Sequence, residues 1–215
     1  NLVQNITVKE FFMYPNANNK CYVKLNGYTM TMNKFRKINS PYYGFIGDEN
    51  AELVFDELIS DATGVRFTSN TGENRIKAIR KTGNSTNGIF LETDLEVTEE
   101  IQANKGVIQT SANLTLISTS SKTCKLLVGS GGYINSSGTG KVIIQQYIPG
   151  NRRVFRFISN PYTSNLALSQ LTDNIDITGS GGSSNGFTNT TTNNPSCYYF
   201  DAANADNNTS GQNSG

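Results

Sequence analysis

Short apolar or alternating runs recur along the whole chain, and each is closed by turn-forming residues. They fall at 6–8, 22–25, 28–32, 43–46, 53–55, 65–68 and 75–80, then at 89–92, 95–97, 107–109, 114–117, 125–128, 133–134 and 142–148. Runs of this length with β-branched and aromatic residues read as strands. Asn, Gly, Ser and Thr cluster between them at 16–19, 69–72, 82–87 and 129–132, which is turn chemistry. Helical spacing is confined to residues 49–60, through Leu53, Leu58 and Ile59, and Leu53-Val54-Phe55 fits a buried strand equally well. The predicted class is all-β.

Spacing narrows the architecture. The segments from about residue 22 to 140 overlay at a loose period of roughly 17 to 24 residues, close to the range of solenoid repeats. "GIFLETDLEVTEEIQANKG", "VIQTSANLTLISTSSKTC" and "KLLVGSGGYINSSGTG" each read as strand, corner, strand, turn. A sandwich built from hairpins would place turn signals about every 8 to 12 residues. Asn-Gly, the strongest two-residue hairpin signal, occurs only at 26–27, 87–88 and 185–186. Residues 1–140 are therefore predicted to form a right-handed parallel β-helix, with stacked Asn and Thr bonding from coil to coil.

The character changes at 138–140. From Lys141 the chain is denser in charge and aromatic residues: a strand from Val142, a turn at Pro149-Gly150, and a second strand mixing Arg with Phe and Ile. A Gly/Ser loop, a Thr/Asn run and a candidate strand at 197–200 follow. Residues 141–215 are expected to be the start of a β-sandwich domain in a piece of a longer protein.

Composition removes much chemistry. The chain has no His, which excludes a Ser-His-Asp triad, a Cys-His dyad and an imidazole zinc site. With 18 basic and 17 acidic residues it has no overall charge that would draw nucleic acid, and no apolar run reaches the ~18 residues of a membrane-spanning helix. Cys21, Cys124 and Cys197 are odd in number and lack C-x-x-C spacing, so they imply neither a zinc site nor a disulfide framework. The one cationic-aromatic cluster, Arg152, Arg153 and Arg156 beside Tyr147, is the candidate contact for an anion or glycan. Its structural alternative is an amphipathic strand whose arginines pair with neighbouring acids. Asp173, Asp176 and Asp201 are candidate calcium ligands, without the spacing of an EF-hand or a calcium-binding nonapeptide repeat. Glu96, Glu99 and Glu100 read as a solvated corner rather than a catalytic pair. No other cofactor is indicated.

"GTGKVIIQQYIPGNRRVFRFISNPYT" resembles a signature of large secreted surface proteins of the Bacteroidota, in which a strand ending Y-I-P precedes an Arg-rich strand ending F-[LI]-S-[SN]-P. "NGFTNTTTNNPSCYYFDA" is similar to a second segment of the same family, and "NKGVIQTSANLTLIS" to the coils that precede it. The chain departs from the pattern at Gln146, Val154-Phe155 and Thr188, where Arg, an aromatic such as Trp, and Asp are usual. The resemblance implies export by type IX secretion, an extracellular cell-surface location and a non-enzymatic role as adhesin stalk or filament subunit. The partners then in view are further copies stacked end to end, and surface glycans. A carbohydrate-binding module and a polysaccharide-active β-helix enzyme are the rival readings.

Overall fold

The computed structural model describes residues 1–14, 20–37, 42–150, 158–172 and 175–198. They belong to two compact units divided between Arg153 and Val154. The first is a parallel β-solenoid. Its strands are β1 (Ile6–Val8), β2 (Phe11–Met13), β3 (Cys21–Lys24), β4 (Thr29–Met32), β5 (Phe35–Lys37), β6 (Tyr43–Ile46), β7 (Asp48–Asp56) and β8 (Ala62–Val65). β9 (Arg75–Thr82), β10 (Ile89–Leu91), β11 (Leu95–Ala103), β12 (Gly106–Thr110), β13 (Asn113–Leu116), β14 (Lys125–Val128), β15 (Gly132–Ser136) and β16 (Lys141–Ile144) complete it.

Every pairing between these strands is parallel, so each strand joins its equivalent one coil away. The main sheet runs β1-β4-β7-β9-β11-β13-β16, with β14 also on β11, and a second face runs β15-β12-β10-β8. Register converts sequence alternation into stacked columns. Ile6, Met30, Leu53, Ile79, Ile101 and Leu126 form one, and Ala62, Ile89, Ile108 and Ile134 form another on the second face. In the first coils the interior holds phenylalanines: Phe45 lies 6.2 Å from Phe11, 6.0 Å from Phe35 and 5.7 Å from Phe67, ring centre to ring centre. Like side chains meet at each level, which lets a narrow core close without helices.

The parallel solenoid agrees with the expectation from spacing, and residues 49–60 contain strand rather than helix. Two strands were not foreseen. β2 and β5 are three residues long and flanked by charge, so neither shows a full alternation. The division after residue 140 is corrected by β16, which pairs with β13 from Asn113↔Lys141 to Leu116↔Ile144 and is thus a strand of the solenoid. Its half-buried Val142 and Ile144 extend the columns of Leu114 and Leu116. Composition changes at this point, but the inward alternation does not. In the second unit the described residues contain two 3₁₀ turns, Leu168–Gln170 and Gly182–Asn185, and no strand, so the expected sandwich is not seen there. The candidate strand at 152–158 lies almost wholly outside the described residues.

Candidate functional site

The outer surface of the main sheet carries a ladder of charge. Glu52 of β7 accepts from Lys77 (2.8 Å) and from Arg80 on β9, and Arg80 Nε reaches Glu100 of β11 at 2.5 Å. Lys122 continues the ladder onto Glu99 at 2.9 Å, and Arg75 Nε pairs with Glu96 at 2.7 Å. A second cluster joins three coils: Lys37 and Arg66 bind the two oxygens of Glu92 at 3.0 and 2.8 Å, and both cations lie 5.7 Å from the Tyr43 ring centre. The buried Tyr43 hydroxyl donates to the Gly64 carbonyl at 2.7 Å. Parallel stacking brings these groups together, because residues about one coil apart become neighbours at strand spacing.

Burial alone would raise the Glu52 carboxyl, but the Lys77 and Arg80 cations hold it below its ordinary 4.5. Glu92 is depressed against the same burial by Lys37 and Arg66. A carboxyl lowered on folding contributes stability that is present above pH 4.5 and is lost as pH falls through the folded value. Glu52→Gln is expected to cost about 1 to 2 kcal/mol at pH 7. In urea titrations its gap to the parent chain should close below pH 4; an unchanging gap would mean that the carboxylate charge is not what matters.

One charge points inward. Val8, Met32, Phe55, Lys81, Ala103 and Val128 form a column, and Lys81 is fully buried within it. Its ammonium donates to the Ser85 carbonyl at 2.5 Å. The corner around it is closed by Asn87, whose amide donates to Leu58 O at 2.7 Å, and by Gly88 N, which donates to Asp61 at 2.7 Å. Burial lowers the Lys81 pKa from 10.5, opposed by Glu57 and assisted by Lys105. The penalty for holding the charged form is therefore full below the folded pKa and gone above 10.5, so this residue makes stability rise with pH. Lys81→Met should lack that rise. Its stability relative to the parent should be most favourable near pH 7 and decline toward pH 10.5, as urea unfolding at both would show; a constant difference would remove Lys81 as the titrating group.

Charge is also banded along the coils. The first 47 residues hold Lys9, Lys20, Lys24, Lys34, Arg36 and Lys37 against Glu10. Residues 48–100 hold twelve Asp or Glu against five Lys or Arg, and no acid occurs between Glu100 and Asp173. The last coil is thus basic, and it exposes Leu126, Leu127, Val128, Tyr133 and Ile143. The banding was legible in the sequence, but a net charge of +1 hides it.

No family model, curated protein or solved structure matches this chain.

Arg152, Arg153, Arg156, Asp173 and Asp201 lie outside the described residues. Tyr147 is exposed, and its backbone N–H donates to Ser118 Oγ at 2.9 Å, so it sits against the last coil. Asp176 is exposed in the second unit. Among the described residues no group of three or more Cys, Asp or Glu is placed to hold a metal ion. An open cleft of about 290 Å³ is lined by Lys24, Ile46, Gly47, Asp48, Glu73 and Arg75 among others. Its polar groups serve local structure: Asp48 accepts from Asn50 N (2.9 Å), Glu73 from Thr68 and Asn70 (2.9 and 2.7 Å), and Arg75 is held by Glu96. Cys21, Cys124 and Cys197 are free thiols. Burial, with Glu100 second, pushes the Cys124 thiol up to about 12, which keeps it protonated and unreactive at neutral pH.

Proposed function

We propose that the solenoid is a non-enzymatic structural shaft, a stalk segment of an exported cell-surface protein. The observation that supports this most is the double stitching of successive coils, by apolar columns inside and by ion pairs outside from Glu52 through Arg80 to Glu100. A stack joined at every layer resists bending and shear, because each coil can yield only by breaking two ladders. The extracellular setting is supported by the surface-protein motifs between Gly138 and Asp201.

Electron microscopy of cells bearing the protein, with gold-labelled antibody to the solenoid, tests this reading. Label on projections outside the cell envelope is expected. Label confined to the cell interior, or release of reducing sugar from polysaccharide by the purified chain, would overturn it.

Exposed rings support a second reading, a carbohydrate contact on the first coil. Phe12 and Tyr14 project to solvent with ring centres 5.5 Å apart, and Tyr22 is exposed on β3. Such rings stack on sugar faces. A glycan array probed with the chain and with Tyr14→Ala decides it, since a real contact would be lost in the variant.

A further inference from the structure

The last coil leaves two strands paired on one side only among the described residues: β14 on β11, and β15 on β12. Among the described residues no strand pairs with their outer edge, which is apolar. Leu126, Leu127 and Val128 are 39%, 44% and 49% exposed in succession, and Tyr133 is 52% exposed. A solenoid end normally carries a polar outer face, and a sheet edge this apolar is a template for another strand.

Charge says what kind of strand: Lys125 stands on the edge itself, Lys122 is three residues before it, the Lys105 side chain lies beside Gly131, and no acid lies between Glu100 and Asp173. A further copy of the basic first coil would be repelled there, and an acidic segment attracted.

The molecule also contains a template for the missing layer. On the other side of β14 lies β11, in register Glu100↔Lys125, Ile101↔Leu126 and Ala103↔Val128, with Glu99 bonded to Lys122 at 2.9 Å. Acids at the outward positions thus face lysines, and small or branched apolar residues face the leucine–valine column. We infer that the outer edge of β14 and β15 is a docking edge for an acidic, amphipathic β-strand of a partner polypeptide, patterned like β11. Backbone hydrogen bonds would supply the attachment, Leu126 and Val128 the apolar register, and Lys125 the choice of an acidic partner over a basic one.

The test uses the full chain and a fluorescent peptide with the sequence of residues 94–104, DLEVTEEIQAN. Saturable binding by anisotropy is expected, weakened as salt rises from about 50 to about 500 mM. A peptide with the three glutamates replaced by glutamine should bind roughly tenfold more weakly, and so should the parent peptide to a Lys125→Glu chain. Lys125 is exposed, so folding should survive the change, and circular dichroism checks that it does. Amide chemical-shift changes should cluster at residues 125–136. No saturable binding, equal affinity for the neutral peptide, or shift changes at 75–82 that mark exchange with resident β11 would each overturn the proposal. Displacement of the peptide by polygalacturonate at equal strength would assign the lysines to an anionic glycan and overturn it too. Head-to-tail self-association that Lys125→Glu leaves unchanged would show that a second copy is the occupant.

Discussion

Ile79→Ala is expected to lower the stability of the solenoid by about 3 to 4 kcal/mol, the middle of the range for large-to-small changes in a core. Ile79 is fully buried on β9, in register with Leu53 on one side and Ile101 on the other. Its cavity cannot close easily. Both neighbouring strands are fixed at ladder spacing of about 4.8 Å by their own backbone bonds, so the coils cannot slide inward to fill the space. The effect should also spread, because in a stack of nearest-neighbour units a weak central layer uncouples the coils on either side. Urea unfolding should therefore show a lower midpoint, with a shallower slope if the two halves separate. Ile143→Ala provides the comparison: Ile143 is 38% exposed on β16, and the same deletion there should cost under about 1 kcal/mol. Equal losses at the two positions would mean that the columns do not carry the fold.

The same columns mark how far the sequence could be read. The strands at 43–46 and 125–128 agree with their predicted limits because alternation or apolar content is dense there and turn-forming residues flank both in the sequence. Coil length was harder to see. Leu95 to Leu114 is a step of about 19 residues and Leu114 to Val142 one of about 28, since corners grow and shrink while the strands stay stacked. A period that varies this much fixes the class of fold but not the pairing of each residue.

Facing was the least legible property, and β9 shows why. Ile76 lies in the core, but Ala78, which alternation would also place there, pairs with the outward Glu52 and Glu100, and Ile79 is the next core residue. The pairing of β9 shifts register on both sides near this point, between Asp48 and Glu52 on β7 and between Val97 and Glu100 on β11. That bulge exchanges the two faces of the strand. Arg80 is thereby carried to the outer ladder, and Lys81 into the core. Nothing in Arg-Lys-Thr-Gly distinguishes the two cations. The candidate site was legible in another sense. The acid-free stretch after Glu100 needs only a count along the chain, yet its meaning depends on the fold, which turns a stretch of sequence into one end of a stack.

Gly47→Ala is expected to be nearly as damaging as Ile79→Ala, at about 2 to 3 kcal/mol, for a reason that involves no cavity at all. Gly47 is the corner between β6 and β7, and its backbone N–H donates to the Glu73 carbonyl at 2.6 Å. A Cβ there would stand 2.3 Å from the Arg75 carbonyl oxygen and 2.9 Å from that of Glu73. Both atoms are backbone, so no side-chain rotation relieves the overlap, and the chain at 73–75 must move. That segment opens β9 and bears the Arg75–Glu96 pair, so displacement there loosens the joint to the following coil as well. Gly72→Ala isolates the two possible costs of adding a methyl. Gly72 has a left-handed φ of +81° with nothing near its missing Cβ, so only backbone strain, about 1 kcal/mol, is at stake. If Gly47→Ala proves no worse than Gly72→Ala in urea unfolding, close approach of successive coils is not what requires glycine at this corner. A clear excess at Gly47 would mean that the corners, as much as the columns, set the distance at which the coils stack.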